Sequence, residues 1–406
     1  MTTRSRPATP GQVPLQRFDR PAAAVRHGLA LWNFGFRPFY LLASLQAATS
    51  ILLWIAQYSG VIPEPWLAGP VWHAHEMLYG FTAAVMAGFL LTAVATWTQQ
   101  PPCRGAPLVG LVLLWLAGRV LLFTPFASTA AVVNALFPAA VAAAIAVPLL
   151  RTGNRRNFGF VGLLLLLGAF ALLVHLAAGG TVALPATLGL QAGLDVVMIV
   201  MAIIAGRVVP MFTNNGVPGA RAGRHPVVER LALGSLFALL AADVLQSEGW
   251  LIVTLALLAA AAHAVRLVLW QPWRTLRTPL VWILHASYAW IAVHLALRGL
   301  AALDWMPSSL ATHALTVGAI GGLTLGMMTR TARGHTGRPL QAGRAEVAMY
   351  LLVQLAAITR VAGGSADGFY LASLQASGLL WAAAFGLYFV RYLPVLLRPR
   401  LDGRPG

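Results

Sequence analysis

The sequence contains a single cysteine, Cys103, and no lysine. One cysteine cannot form an internal disulfide, and it cannot supply the several thiolates that iron–sulfur clusters and cysteine-rich metal sites need. Any bound metal must therefore be held mainly by histidine, carboxylate or methionine side chains. Charged residues make up only 10% of the 406 residues, hydrophobic residues make up 59%, and the mean hydropathy is +0.75. These proportions predict that most of the chain lies in lipid.

The basic residues are numerous but dispersed. The chain has 28 of them, all arginine, against 11 acidic residues, and its formal net charge is +17. Nucleic-acid binding needs basic residues clustered on one folded face, whereas these arginines occur in short groups between apolar runs. We therefore expect no nucleic-acid partner. The motifs of nucleotide-binding and soluble hydrolytic enzymes are also absent, so ATP-driven transport and soluble-type hydrolysis have no support.

Twelve apolar stretches are long enough to cross a bilayer as helices, which satisfy every backbone polar group within the segment. We therefore predict an all-α, polytopic membrane helix bundle of about twelve transmembrane helices in residues 36–393. Residues 1–35 are predicted to form a mobile cytoplasmic tail, and residues 394–406 a shorter cytoplasmic tail. The predicted spans are residues 36–58, 73–97, 107–125, 129–150, 158–178, 186–208, 228–246, 250–270, 279–300, 308–330, 346–364 and 370–393.

Arginine content alternates from loop to loop. The odd-numbered loops, residues 59–72, 126–128, 179–185, 247–249, 301–307 and 365–369, contain no arginine. The even-numbered loops and the C-terminal tail carry arginine, for example at Arg155, Arg277 and Arg400. Since arginine accumulates on the cytoplasmic side of membrane proteins, this alternation predicts an even number of spans with both chain ends inside.

Eight of the ten histidines lie in or beside the predicted spans, and they fall into two groups by depth. The outer group is His73, His75, His175 and His313, and the inner group is His263, His285 and His335. Neutral imidazole binds haem iron, copper and zinc, and ionisable groups in a membrane usually face a cavity or a partner. Two groups favour two cofactor sites. The alternative is that each histidine hydrogen-bonds a backbone carbonyl or caps a helix. We interpret His294, which has no depth partner, as structural.

Two carboxylates are candidates for catalysis or proton handling. Glu76 shares a helix face with His73, so it could orient that imidazole, although a carboxylate at a helix N-terminus is also favoured by the helix dipole. Asp195 lies in the outer half of the sixth span, where Arg119 of the third span could neutralise it. The arginines near the inner face could bind haem propionates or act as snorkelling anchors; they are Arg207, Arg330 and Arg338.

Glycines recur at four-residue spacing in the tenth span, at Gly318, Gly322 and Gly326. One face of this helix therefore carries no side chains that would hold a neighbour away, and we predict a central, closely packed helix.

Several long motifs resemble the NnrS family. They begin at residues 33, 72, 107, 154, 206, 263 and 313, and read NFGFRPFYLLA, WHAHEMLYGFTAAVMAGFLLTAVATWT, PLVGLVLLWLAGR, NRRNFGF, GRVVPMFTNN, the segment from His263 through RTLRTPLVWILHASYAW, and HALTVGAIGGLTLGMMTRTARGHTGRP. The resemblance spans nearly all twelve stretches in order. It implies a bacterial inner-membrane protein that contains haem and copper and is associated with the response to nitric oxide.

The resemblance also implies that the motif histidines are metal ligands, without dividing them between haem iron and copper. They are His73, His75, His175, His263, His285, His313 and His335. We therefore expect protection against nitric oxide by binding or redox chemistry at these sites, with catalytic turnover and the electron donor left open. One alternative is a transporter of metal, haem or a small anion, whose route is lined by Asp195, Arg119 and the glycine face. Another is a haem–copper oxidase type of reductase, which ranks lower because its adjacent His-His pair and late His-x-His are missing.

Overall fold

The computed structural model describes residues 29–62, 66–67, 69–364 and 368–404. Most of the predicted N-terminal tail, residues 1–28, lies outside these ranges. Within them, the regular secondary structure is entirely helical. Twelve long helices account for nearly all of it, and each coincides with one of the apolar stretches predicted from the sequence.

The bounds of the helices are α1 Phe36–Tyr58, α2 Gly69–Thr98, α3 Ala106–Leu121, α4 Ala127–Arg151, α5 Gly159–Ala178, α6 Ala186–Gly216, α7 Pro226–Val244, α8 Trp250–Leu269, α9 Pro279–Ala301, α10 Ser308–His335, α11 Arg344–Gly363 and α12 Tyr370–Leu397. Ten of these described helices are long and apolar enough to cross a membrane. The exceptions are α3, which is shorter, and α7, which carries Glu229, Arg230 and Asp243. A multi-pass helical membrane fold is thus confirmed, and the count of twelve spans and their orientation stay predictions.

Successive helices pack side by side, and α12 packs against α1 to close the bundle. Within it, α2 and α10 are the most enclosed helices: α2 contacts α1, α4 and α6, and α10 contacts α1, α9, α11 and α12. Both are lined by small residues, which lets neighbouring backbones approach closely where lipid provides no hydrophobic drive for helix association.

The glycine face of α10 is filled by neighbouring side chains. A side-chain carbon at Gly318 would meet the ring of Trp290, and one at Gly326 would meet Leu284 and Ile283. The predicted central packing of this helix is therefore confirmed. Because the face is occupied, it does not line an open route through the bundle.

Both α2 and α10 change from an α-helix to a wider π-helix shortly after they begin. The π-helical segments are Glu76–Thr82 in α2 and Ala314–Gly321 in α10. In α2 the hydroxyl of Thr82 donates to the carbonyl of Met77, five residues earlier, at 2.8 Å. Such segments are rare and are frequent at functional sites. In each helix the π-helical segment directly follows a histidine, His75 or His313.

The predicted orientation can be tested by cysteine labelling in a C103S background. Glu248→Cys lies in the exposed α7–α8 loop and Thr152→Cys in the exposed α4–α5 loop. Since arginine-rich loops stay inside, we expect a membrane-impermeant maleimide to label Glu248→Cys in intact spheroplasts and to label Thr152→Cys only after lysis. The reverse pattern would invert the topology.

Candidate functional site

At the end of the bundle where α2 begins, two histidines face each other. The Nε2 atoms of His75 on α2 and His175 on α5 lie 3.1 Å apart, and both side chains are buried. The Nδ1 atom of His75 donates to an Oε1 of Glu76 at 3.2 Å. Neutral imidazole then keeps a lone pair on its Nε2 atom, directed at His175. A carboxylate behind an imidazole in this way is the common arrangement for a metal-binding histidine.

Glu76 is held in a buried network that joins the first four helices. It forms an ion pair with Arg119 of α3 and accepts from the side-chain amide of Gln46 on α1. Arg119 also donates to the side-chain oxygen of Asn134 on α4. The absence of a side chain at Gly80 makes room for this guanidinium, since a carbon there would lie 2.6 Å from Nη1 of Arg119. Glu76 thus orients His75, and not His73 as its spacing had suggested.

Asp195 belongs to a second buried network. Its Oδ1 atom accepts from Arg298 of α9 at 3.2 Å and from Gln191 one turn earlier at 3.1 Å. Arg298 also pairs with Asp243 of α7, so two carboxylates share one guanidinium. The alternative in which Arg119 neutralises Asp195 is therefore wrong, because Arg119 is paired with Glu76 and Asp195 with Arg298.

A cavity of about 560 Å³ lies on the other side of α2 from the His75–His175 pair. It is bounded by α1, α2, α6, α10, α11 and α12, and both His73 and His313 line it. The Nδ1 atom of His313 donates to the carbonyl of Ser309 at 2.6 Å, which leaves Nε2 as the lone-pair nitrogen. His73 stacks on Trp54, with ring centroids 5.0 Å apart, and its Nδ1 atom is buried without a hydrogen-bond partner.

Arg360 of α11 supplies a positive charge to the same cavity. Its side chain is buried, its Nη2 atom donates to the hydroxyl of Tyr370 at 3.3 Å, and its Nη1 atom has no hydrogen-bond partner among the described residues. An unsatisfied buried guanidinium is costly, so it favours an anionic group in the cavity. The sequence analysis did not consider Arg360. The available signal was its position inside an apolar helix, three residues before the helix ends at Gly363.

In the inner group of histidines, His263 has both ring nitrogens occupied. Its Nε2 atom donates to the carbonyl of Ala232 at 3.1 Å, and its Nδ1 atom accepts from the hydroxyl of Tyr288 at 2.6 Å. Tyr288 in turn accepts from Arg266, which forms an ion pair with Glu229. This chain of hydrogen bonds joins α7, α8 and α9, and it leaves no free nitrogen on His263 for a metal.

The other two inner histidines do not join His263 as ligands of one site. The Nε2 atom of His285 donates to the hydroxyl of Thr213 at 2.8 Å, because that hydroxyl gives its own proton to the carbonyl of Val209. The ring of Trp270 contacts the rings of both His285 and Tyr288. His335 packs against the rings of Phe34 and Phe36. Across the described ranges, no three histidine, cysteine or acidic side chains converge on a point that could hold a metal.

His294 lies on α9 and its side chain contacts α10. Its Nδ1 atom donates to the carbonyl of Ala311 at 2.7 Å, which ties α9 to the first turn of α10 just before His313. This contact agrees with its interpretation as a structural histidine.

The profile of the NnrS protein family matches residues 30–400, nearly the whole chain. The chain belongs to the NnrS family. No curated protein matches it at a significant level. Family membership identifies a membrane protein of the nitric oxide response. The matched region contains both outer pairs, His75 with His175 and His73 with His313, as well as the inner histidines.

The three arginines predicted to bind propionates in this NnrS family member do not line the cavity of His73 and His313. Arg207 donates to Asn157 at 2.6 Å, and the guanidinium of Arg330 lies 3.7 Å from the ring centre of Phe212. Arg338 has a buried Nη1 atom without a partner among the described residues. They lie toward the opposite end of the bundle, so a group bound beside His73 would meet Arg360 and not these side chains.

The Glu76–Arg119 pair can be tested by a double-mutant cycle. Arg119→Met removes one buried charge and leaves the other, so we expect a loss of about 3–5 kcal/mol in unfolding free energy. The double variant Glu76→Gln/Arg119→Met should recover most of that loss because no buried charge remains. Unfolding in detergent measures both. Arg155→Met, at an exposed loop position, is the control; additive effects of the two substitutions would contradict the coupling.

Proposed function

We propose that this NnrS family protein is a haem- and copper-binding protein of the bacterial inner membrane that protects the cell against nitric oxide. In this proposal haem lies in the cavity lined by His73 and His313, and copper lies between His75 and His175. The observation that carries the proposal is the placement of two imidazoles, each on a different helix, in one large and mostly apolar cavity. Nitric oxide or another small diatomic molecule is then the ligand.

The residues of the cavity fit a haem. Its volume of about 560 Å³ lies in the usual range for cofactor pockets. His313 presents an Nε2 lone pair, and its Nδ1 hydrogen bond to a carbonyl holds the ring in that tautomer. His73 comes from a different helix and is held by stacking on Trp54. Paired imidazoles from facing helices are a common way for a bundle to hold a cofactor in its core.

The charge at the cavity also fits. A haem carries carboxylates, and the unpaired Nη1 atom of Arg360 offers them a buried, charge-assisted hydrogen bond. Tyr370 holds the other end of that guanidinium. Apolar walls from Phe81, Leu190 and Trp381 keep water away from the remainder of the cavity. Arg360 therefore replaces the three inner arginines as our candidate for the propionate contact.

The His75–His175 pair fits a copper ion. Imidazole nitrogen is a good copper ligand, and two Nε2 atoms 3.1 Å apart can share one ion. Glu76 accepts from Nδ1 of His75, so the lone pair of His75 points at the site. Two protein ligands leave coordination positions open to an exogenous ligand. The family resemblance supplies copper as the metal, since imidazole alone does not distinguish copper from zinc.

When bound, haem iron and copper would supply one-electron redox chemistry. A diatomic ligand would bind the open positions on copper, or would bind the haem iron in place of one of its two imidazoles. The protein's own part is to hold the two groups on opposite faces of one helix, because His73 and His75 are two residues apart on α2. Glu76 fixes the ring of His75, and the networks of Glu76 and Asp195 provide carboxylates that can hold a proton near the site.

Haem binding can be tested on the purified protein in detergent. We expect His73→Ala and His313→Ala each to lose the haem absorption bands, because each removes a ligand from the cavity. His294→Ala, a buried histidine outside the cavity, is the matched control and should keep them. Haem content and the spectrum of the reduced protein with and without nitric oxide are the measurements. If His73→Ala and His313→Ala both keep their haem and His285→Ala loses it, the haem site lies at the inner histidines and the proposed cavity is wrong.

Copper binding has a separate test. His175→Ala should lower the copper content and leave the haem spectrum in place, because His175 does not line the haem cavity. Glu76→Gln should weaken copper binding about 10- to 100-fold, since it removes the acceptor behind a ligand. Glu248→Gln on the surface is the control. Metal analysis and copper titration measure both effects, and full copper occupancy in His175→Ala would refute the assignment.

A further inference from the structure

A second, smaller cavity lies in the interior between α2, α6 and α10, and we call it the apolar chamber. Its volume is about 70 Å³. It is lined mainly by apolar side chains, including Val85 and Met86 of α2, Ala205 of α6 and Leu323 of α10. Its polar residues are Tyr40 and Thr324; the hydroxyl of Thr324 donates to the carbonyl of Ile320 at 2.7 Å, and the hydroxyl of Tyr40 is buried without a hydrogen-bond partner among the described residues. The chamber therefore offers little to an ion or a polar solute.

The chamber and the larger cavity are lined by different residues of three shared helices, α2, α6 and α10. Thr82 lines the larger cavity and Val85 lines the chamber, and Ile320 and Leu323 have the same relation on α10. Residues three or four apart lie on one face of a helix, so on α2 and α10 the chamber begins about one turn, or ~5 Å, beyond these residues of the cavity. On α6 the larger cavity ends at Leu194, and the chamber begins at Val200.

One side of the chamber reaches the surface of the bundle. Met201, Ile204 and Val208, spaced three and four residues apart on α6, are only partly buried, whereas Ala205 and Val209 beside them are buried. In a membrane-spanning helix of this composition, the outward face meets lipid. The chamber thus lies between the hydrocarbon of the bilayer and the cavity that contains His73 and His313.

We propose that the apolar chamber binds a small apolar gas, which for this protein is nitric oxide, and passes it from the bilayer to the larger cavity. Cavities lined by apolar side chains stay free of water and bind apolar molecules such as xenon. Its volume of about 70 Å³, against about 30 Å³ for a water-sized molecule, leaves room for a diatomic molecule. The gas-binding part stands on the chamber alone, and its identification with nitric oxide rests on the proposed function.

Xenon binding tests the chamber without any cofactor. We expect xenon to bind the wild-type protein in lipid nanodiscs, as measured by ¹²⁹Xe NMR, and Ala205→Leu to abolish this binding because the added carbons occupy the chamber. Ala143→Leu adds the same side chain on an exposed face of α4 and is the control. Val85→Leu is a smaller change that serves if Ala205→Leu fails to fold. Xenon binding that is equal in the wild type and in a folded chamber variant would overturn the proposal, as would its absence from the wild type.

The supply of nitric oxide is measured separately on haem-containing protein by flash photolysis. Ala205→Leu should slow nitric oxide association at least about threefold and leave the haem spectrum unchanged, because it narrows the path and not the site. If Ala205→Leu abolishes xenon binding and leaves the nitric oxide association rate unchanged, the chamber does not supply nitric oxide to the larger cavity. A protein that binds xenon in the chamber but holds no haem would refute the proposed function and leave the gas site intact.

Discussion

The buried ion pair between Glu76 and Arg119 is the interaction on which the histidine arrangement depends. A charge inside a membrane bundle is costly without a partner, so this pair ties α2 firmly to α3 and, through Gln46 and Asn134, to α1 and α4. The rotation of α2 about its axis is thereby set. That rotation directs His75 toward α5 and His73 toward the cavity, so one electrostatic contact determines what lies on both sides of the helix.

The same requirement explains the other buried charges. Arg266 is paired with Glu229, and Arg298 is shared by Asp195 and Asp243, so helices α6 to α9 are joined by charge as well as by packing. Arg360 differs, because it lines a cavity and has no ion-pair partner among the described residues. Where these other buried charges are paired, a buried guanidinium without a carboxylate marks the place where an anionic group is expected.

Much of the fold could be predicted from the sequence, since apolar length and arginine-free loops are one-dimensional signals. Depth could be predicted in the same way: the outer histidines do lie near one end of the bundle, in two pairs. Which side chains contact each other could not be predicted, because these contacts depend on how each helix is rotated about its axis. Arg119 was considered as a partner for Asp195, whose partner is Arg298. Arg360 was overlooked, whereas three arginines that do not line the cavity were considered for the propionates. His263 looked like a ligand by depth, although its two nitrogens are already bonded to Tyr288 and Ala232.

The π-helical segments of α2 and α10 carry a consequence for how such proteins can change over time. A π-helix arises when one residue is added to an α-helix without unfolding it, and the residues on either side are turned relative to each other by about 100°. Losing one residue from Glu76–Thr82 would leave the hydropathy profile and the span almost unchanged, yet it would turn His73 and His75 away from their present neighbours relative to the rest of α2. Two relatives that carry the same histidines and differ by one residue in this segment would therefore place those histidines against different neighbours. The backbone hydrogen-bond register of α2 and α10 would decide which neighbours these are.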